Sequence, residues 1–475
     1  MTQAPLWTAA EIATATGGRA AGDFAATGVS IDSRSLERGD LFVALQGPTF
    51  DGHDFVAKAL QRGAAGALIH RRPRDLPADA PVIEVADTMR ALEDLGRAAR
   101  ARTAARIAAV TGSVGKTSTK EALRAVLALF GATYASIGNL NNQWGAPLSL
   151  ARMPRDSRYG VFELGMNHAG EISPLSQMVR PQVAIITTVE PVHIEFFASV
   201  EGIADAKAEI FDGLQPNGTA ILPFDNPHFA RLEGKAKRMG ARVLTFGAGD
   251  GAWARLLDCQ VAPTGTEVAA EIGGKRLRYR LAALGSHQAL NSLAVLAAAF
   301  AFDLDLDQAL PGFAAFEALK GRGKREALRI PGGEIELIDE GYNASPASVG
   351  AALRLLGQLP TTFGGRRIVV LGDMRELGER GPQLHRDLAP NLSAAKVDLA
   401  FLVGPLMRGL YELLPPAMQG AHQPNSEAMV ATLVAAIRPG DTVLIKGSLG
   451  TRMAPLVEAV RALDQAAPRK AANEH

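Results

Sequence analysis

Little in this 475-residue chain can be cross-linked, because it holds a single cysteine, Cys259. One thiol cannot close an intramolecular disulfide, so no disulfide framework holds the fold and the cytoplasm is the expected compartment. Charge of one sign is also missing. Lys+Arg is 50 against Asp+Glu 49, a formal net charge of +1. That balance argues against a polyanion-coating protein, and no nucleic-acid partner is expected. Long hydrophobic runs are absent as well. The longest near-apolar stretch, Leu293 to Phe302, is far shorter than the roughly 20 residues a membrane span needs and reads as a packed Ala-rich helix. The segment Met1 to Ala10 has no basic part followed by an apolar one, so neither a secretory signal nor membrane insertion is expected. No internal repeat is found, and low complexity is confined to a polar tail after Ala466.

What is present is ordinary globular material, with 47% hydrophobic and 21% charged residues. At roughly 150 residues per domain the length suggests about three domains. Three blocks are expected, at 1–85, 86–318 and 319–475. The first has short strand-like runs at Val29–Ile31, Leu41–Leu45 and Ala67–Ile69, with a helical stretch over Asp54–Gln61. An Ala/Arg/Leu helix, Asp87–Thr103, leads into the second block. There, apolar runs at Ile107–Val110, Val161–Leu164, Val183–Thr187 and Ala220–Leu222 alternate with helical segments. That alternation predicts an α/β unit with a mostly parallel sheet, closed by a helix over Ala289–Phe302. The third block has strand signals at Ile335–Ile338, Ile368–Leu371, Leu399–Val403 and Thr442–Ile445, again in a doubly wound α/β pattern. Lys320–Glu326, rich in glycine and charge, is the expected linker.

The sharpest local signal is Thr111-Gly112-Ser113-Val114-Gly115-Lys116-Thr117-Ser118, between a strand and a helix over Thr117–Phe130. Glycines let the backbone curl so that its N–H groups face a phosphate, and the helix adds its positive N-terminal end. Lys116 would reach the β/γ-phosphates and the Thr117 hydroxyl would ligate Mg²⁺. A strict P-loop has glycine where this chain has Val110, so the loop is a shorter variant. The competing reading is a plain Gly-rich turn; the flanking strand and helix and the intact Gly-Lys-Thr-Ser favour nucleotide binding. Glu163 ends a strand, His193 follows another, and Lys207 lies in Ala-Asp-Ala-Lys-Ala-Glu. Residues at the carboxyl ends of parallel strands converge on the ligand crevice. Alone, each is more often a solvated or structural residue, and nothing but resemblance singles out Lys207.

Taken together these residues resemble the Mur ligases, the ATP-dependent amide-forming enzymes of peptidoglycan precursor synthesis. The short Gly-x-x-Gly-Lys-Thr loop is typical of them. So are Gly138-Asn139-Leu140-Asn141-Asn142 with Gly145-Ala146-Pro147, Glu163-Leu164-Gly165-Met166-Asn167-His168 with Gly170-Glu171-Ile172, and Ala206-Lys207-Ala208-Glu209-Ile210. The likeness runs from about Ser30 to Leu456. Within the family, Leu371-Gly372-Asp373-Met374-Arg375-Glu376-Leu377-Gly378 is similar to the signature of members that attach D-alanyl-D-alanine to UDP-N-acetylmuramoyl-tripeptide. Asp339-Glu340-Gly341-Tyr342-Asn343-Ala344-Ser345-Pro346 and Lys446-Gly447-Ser448 fit the same members. The Asp-Asn-Pro-Arg signature of the preceding step is not found.

The resemblance implies a small α/β UDP-substrate domain, a central P-loop-type ATPase domain and a C-terminal doubly wound Rossmann-like domain. It implies ATP and two Mg²⁺ ions, with Lys116, Glu163, His193, Lys207 and Arg322 catalytic and Lys207 carbamoylated. Thr117, Glu163, His193 and Lys207 would hold the metal. Gly112 through Ser118, Asn291, Asp339, Tyr342 and Asn343 would bind nucleotide. Asp32, Ser33 and Arg34, with Asn141 and Asn142, would meet the UDP-muramoyl substrate, although Asp32-Ser33 also reads as a plain Asx-turn. Arg322 would reach the phosphates on domain closure; its other reading is a solvated linker arginine. A monomer is expected. Departures from the family occur at Gly285-Ser286-His287-Gln288, at Glu340 and at Leu449. Other readings are a Mur-type ligase for a different amine, a nucleotide-dependent scaffold that binds precursors without ligating them, and a P-loop ATPase coupled to motion.

Overall fold

The computed structural model describes residues 5–465, apart from 263, 315, 317–319, 362 and 363. Three main sheets follow one another along the chain. In the first, five strands stand in the order Arg19–Ala21, Val82–Glu84, Gly66–Ile69, Asp40–Val43, Gly28–Ser30. The last four pair in parallel, and Arg19–Ala21 pairs antiparallel with Val82–Glu84. The expected helix over Asp54–Gln61 splits into a 3-10 turn, Gly52–Phe55, and an α-helix, Val56–Gln61. Asp51 causes the earlier start, because its side chain accepts the His53 N–H at 2.9 Å.

Helix Thr88–Ala101 is capped by Asp87, whose carboxylate accepts the Arg90 N–H. Its apolar stripe, Ala91, Leu92, Leu95 and Ala99, joins Trp7, Ile12, Leu41, Val43 and Leu68 on one side. On the other it meets Ile107, Ala146 and Leu148, in one continuous core. Each such leucine contributes about 1.5–3 kcal/mol on burial. The first sheet is therefore welded to the second rather than hung from a linker.

The second sheet has nine strands in the order Lys275–Leu281, Gly265–Ile272, Ala254–Ala262, Arg242–Gly247, Thr219–Pro223, Val183–Ile186, Arg106–Thr111, Tyr159–Glu163, Thr133–Ala135. Pairing is parallel from Thr133–Ala135 to Ala254–Ala262 and antiparallel beyond. The antiparallel extension was not anticipated, although Lys275–Leu281 alternates strictly. Leu277, Tyr279 and Leu281 are buried, with basic residues between them facing out. Helix Ser286–Ala301 closes the unit.

The third sheet runs Lys324–Ile330, Gly333–Glu340, Thr442–Lys446, Arg367–Gly372, Leu399–Val403, Gln419–Gln423, parallel except for its first pair. The expected linker Lys320–Glu326 is thus only partly linker. Lys324–Glu326 open an edge strand, because Leu328 and Ile330 beyond them are buried. Two of the three charges are consumed in the fold: Arg325 pairs with Glu336, and Glu326 with Arg461. The expected boundary at 85/86 falls between Val82–Glu84 and Thr88–Ala101. The one at 318/319 and the tail after Ala466 lie outside the described residues. Among the described residues no helix is long and apolar enough to cross a membrane.

Candidate active site

Arg106–Thr111 lies between Tyr159–Glu163 and Val183–Ile186, all parallel. Gly112, Glu163 and Thr187 therefore meet at the carboxyl rim of the sheet, where α/β folds bind ligands. The loop demands its glycines. Gly112 has φ +147°, and a Cβ there would lie 1.9 Å from Thr187 Oγ1. Gly115 has φ +84°, and a Cβ there would lie 3.0 Å from Asn291 Nδ2. Between them the loop is pinned to the next strand end. The Ser113 N–H donates to the Thr188 carbonyl, the Ser113 hydroxyl donates to the Glu190 carbonyl, and the Thr187 hydroxyl donates to the Val114 carbonyl. Helix Lys116–Ala128 starts at Gly115 with no side-chain cap, so its first N–H groups are left to the cleft, lined by Ser113 through Ser118. This arrangement suits a phosphate chain.

Lys116 curls over the loop, its ammonium donating to the Gly112 carbonyl at 2.7 Å. Burial pushes its pKa down, Glu163 partly offsets this, and the Arg322 guanidinium adds to the push. Beside it, the Thr117 hydroxyl donates to Glu163 Oε2 at 2.8 Å, and the Asn141 amide donates to Oε1 at 2.8 Å. Lys207, on helix Val200–Ala208, is buried and its amine has no hydrogen-bond or ion-pair partner among the described residues. Burial, then the Lys116 ammonium, push its pKa well below the usual lysine value. Both effects favour the uncharged amine over the ammonium. His193 stands at φ +61°, with Nδ1 2.5 Å from Glu376 Oε2 of the third unit.

The third unit forms the opposite wall of a cleft of about 780 Å³. The Arg322 guanidinium lies over the Tyr342 ring, 4.0 Å from its centroid. Lys446 donates to Glu340 at 2.9 Å and to the Asn343 carbonyl at 3.0 Å. Arg375 and Glu376 line the cleft near His193, and Arg354 lines it near His287.

Most residues expected at the site are therefore gathered in one cleft: Gly115, Lys116, Thr117, Asn141, Glu163, His193, Asn291, Arg322, Tyr342 and Asn343. Several stand elsewhere. Lys207 is not among the residues that line the cleft. Asp339 is directed away, accepting from Arg461 Nη2 at 3.0 Å and the Gly341 N–H at 3.1 Å. Its neighbour Glu340 lines the cleft in its place. Asn142 accepts from the Gly145 N–H at 3.0 Å, starting helix Gly145–Arg152. Asp32 forms the Asx-turn, accepting the Arg34 N–H at 2.9 Å and pairing with the Arg34 guanidinium at 2.8 Å. None of Asp32, Ser33 and Arg34 lines the cleft.

Other lining residues, Glu340, Arg354, Glu376 and Lys446 among them, were not selected from sequence. Glu340, Glu376 and Lys446 lie within quoted motifs, whereas Arg354 lies in none and carries no sequence signal. Among the described residues no three His, Cys, Asp or Glu side chains gather as a metal group.

Three family models match in succession. Residues 25–100 match "Mur ligase family, catalytic domain", 110–299 "Mur ligase middle domain", and 328–449 "Mur ligase, glutamate ligase domain". The chain is 34% identical to the UDP-N-acetylmuramoyl-tripeptide--D-alanyl-D-alanine ligase of Escherichia coli, over 93% of this chain and 95% of that one. The chain belongs to the Mur ligase family. The enzyme of the same name from Bacillus subtilis is 33% identical over 91% and 92% of the two chains. Among solved structures, MurF from Acinetobacter baumannii is similar with TM-score 0.83 and 31% identity, covering 96% of this chain and 99% of that one. MurF from Thermotoga maritima in complex with ADP is similar with TM-score 0.78 and 26% identity, covering 92% and 97%.

Proposed function

We propose that this Mur ligase joins D-alanyl-D-alanine to UDP-N-acetylmuramoyl-tripeptide with ATP, giving the pentapeptide precursor, ADP and phosphate. The observation that carries the reading is the Thr117–Glu163 contact beside the phosphate loop, in a cleft whose far wall supplies Arg322. The names of the relatives above and the ADP bound by one of them support the substrate and nucleotide classes. Soluble nucleotide-linked substrates and a single cysteine fit a monomer working in the cytoplasm.

A carboxylate does not acylate an amine directly at neutral pH, because oxide is not a leaving group. The tripeptide carboxylate attacks the γ-phosphorus, the bond to ADP breaks, and an acyl phosphate results. The dipeptide amine then attacks the acyl carbon, and phosphate leaves with the bonding pair. Positioning and charge neutralisation dominate such a transfer. Lys116 and the open first turn of its helix hold the β/γ-phosphates. Arg322, placed over the Tyr342 ring, meets the phosphates from the other wall, and closure keeps water from the acyl phosphate.

The donor set fits a hard cation. Thr117 and Glu163 present oxygens side by side, and Mg²⁺ takes few protein ligands alongside phosphates and water. We assign one ion to Thr117 and a second to Glu163, His193 and Lys207; bound there, they would neutralise phosphate and carboxylate oxygens. An ammonium at Lys207 would repel a cation. In its uncharged form, which burial favours, the amine can instead add to CO₂, forming an N–C bond and releasing a proton, to give an anionic oxygen donor. Asn291 serves the nucleotide beside Gly115, with Tyr342 and Asn343 on the facing wall and Asp339 behind them. Asp32, Ser33, Arg34, Asn141 and Asn142 are assigned to the UDP-muramoyl side.

The test is phosphate release with ATP, Mg²⁺, UDP-N-acetylmuramoyl-tripeptide and D-alanyl-D-alanine, each omitted in turn, with mass detection of product. Release that needs both substrates, with a product heavier by the dipeptide, is expected. Nucleotide binding without pentapeptide from either common tripeptide would overturn the amine assignment or the catalytic one, and a panel of single amino acids separates the two.

A further inference from the structure

The central and third units touch at two short turns. The 3-10 turn Ile194–Phe196, headed by His193, meets the turn Arg375–Gly378 that follows strand Arg367–Gly372. His193 Nδ1 lies 2.5 Å from Glu376 Oε2. The Glu195 N–H donates to the Glu376 carbonyl at 3.4 Å. Ile194 packs on both hydrophobic cores. Both partners hold left-handed backbone, with φ +61° at His193 and +63° at Glu376. That region is sparsely used by residues other than glycine, and such residues persist where their surroundings over-determine them. Here two of them face each other across a seam between units.

The chemistry of the contact fixes the ring. A carboxylate oxygen and an unprotonated ring nitrogen would repel at 2.5 Å, so Nδ1 carries a hydrogen. Nδ1 is buried and has no other hydrogen-bond partner among the described residues. Nε2 then keeps the free lone pair. A carboxylate that takes one ring N–H orients the other nitrogen for a ligand. The Glu376 carboxylate has no second ion pair among the described residues, although the Arg375 charge also acts on it.

We propose that Glu376 is the positioning residue for His193, fixing the Nδ1–H tautomer and the ring direction so that the site is completed only when the third unit docks. The inference rests on the proposed ligase reading. A rim salt bridge without this role would be worth little and would leave tautomer and turnover alone.

The experiment uses the full chain with ¹⁵N-labelled histidine, the His193 resonances being assigned with His193→Gln. Glu376→Ala and Glu376→Gln are compared with the parent, and thermal midpoints check folding. Ring ¹⁵N shifts without substrate should report Nδ1–H in the parent and a tautomer mixture in Glu376→Ala. In turnover, Glu376→Ala should lose roughly 10- to 100-fold in kcat, with KM for ATP and UDP-tripeptide within about twofold. Glu376→Gln, which still accepts the N–H, should recover much of both. An unchanged tautomer, or unchanged kcat, in Glu376→Ala overturns the proposal. Absence of ligase activity in the parent overturns the ligase reading instead, since the ring shifts are measured without it.

Discussion

The Asn141 side-chain amide lies 2.8 Å from Glu163 Oε1, tying the Asn-rich turn to the end of the strand Tyr159–Glu163. With the Thr117 hydroxyl on the other oxygen, both lone-pair faces of this nearly buried carboxylate are oriented. Asn141, itself on the cleft lining, thereby also orients the centre through Glu163. Asn141→Ala should lower kcat by roughly 10- to 100-fold, the usual cost of losing an orienting partner. The apparent Mg²⁺ requirement should rise as well, whereas a purely substrate-contacting Asn141 would raise KM for the UDP substrate alone. Steady-state kinetics with Mg²⁺ and UDP-tripeptide varied separately distinguish the two.

Lys207 is the second test of the same centre. The residue is buried, and burial with the nearby Lys116 ammonium pushes its pKa well below the lysine range, which favours the nucleophilic form that carbamoylation needs. Lys207→Ala should abolish most turnover and be partly rescued by a small carboxylic acid. Native mass spectrometry of the parent under bicarbonate should show the added mass of one CO₂. Full activity in the unrescued variant would remove Lys207 from the mechanism.

Much of this was legible because the α/β unit writes itself locally. Buried parallel strands are short apolar runs, and Gly112 and Gly115 mark a backbone shape that other residues cannot take. What stayed hidden depends on partners distant in sequence. Nothing near Glu376 announces His193, and nothing near Asp339 announces Arg461, 122 residues away, which draws that carboxylate out of the cleft. Lys324–Glu326, the start of a strand, reads as linker because its charges look solvated until Glu336 and Arg461 are placed beside Arg325 and Glu326. Asn142 and Asp32 fit both a substrate role and a local turn, and the turn in each case is built.

Arg322 bears on closure. Its guanidinium is stacked on Tyr342 and lies close enough to Lys116 to depress that ammonium's pKa. Two cations held near each other gain from a polyanion between them. Arg322→Ala should reduce kcat by more than about tenfold while the Kd for UDP-tripeptide, by calorimetry, moves by less than about twofold. Tyr342→Phe keeps the ring and should stay near the parent. Equal turnover in Arg322→Ala would return this residue to the linker.

His385 gives a prediction about stability. It is fully buried, and its Nε2 accepts the Met374 N–H at 2.9 Å, so Nε2 is unprotonated and Nδ1–H donates to the Gly381 carbonyl at 2.6 Å. The neutral ring thus anchors the turn that carries Arg375 and Glu376. Burial lowers its pKa from the ordinary 6.5, with the Gly381 contact and Asp373 opposing. The unfolded chain therefore binds a proton that the folded chain does not. The anchor's contribution is fully present above the unfolded value and is lost as pH falls below it, toward the depressed folded pKa, at no more than about 1.4 kcal/mol per pH unit. Buried His53 shifts in the same direction, so the difference between parent and His385→Gln isolates the site. Calorimetric midpoints should differ most near neutral pH and converge as pH is lowered toward about 5. A difference that is flat with pH would mean that the ring is held by packing alone, with its protonation uncoupled from the fold.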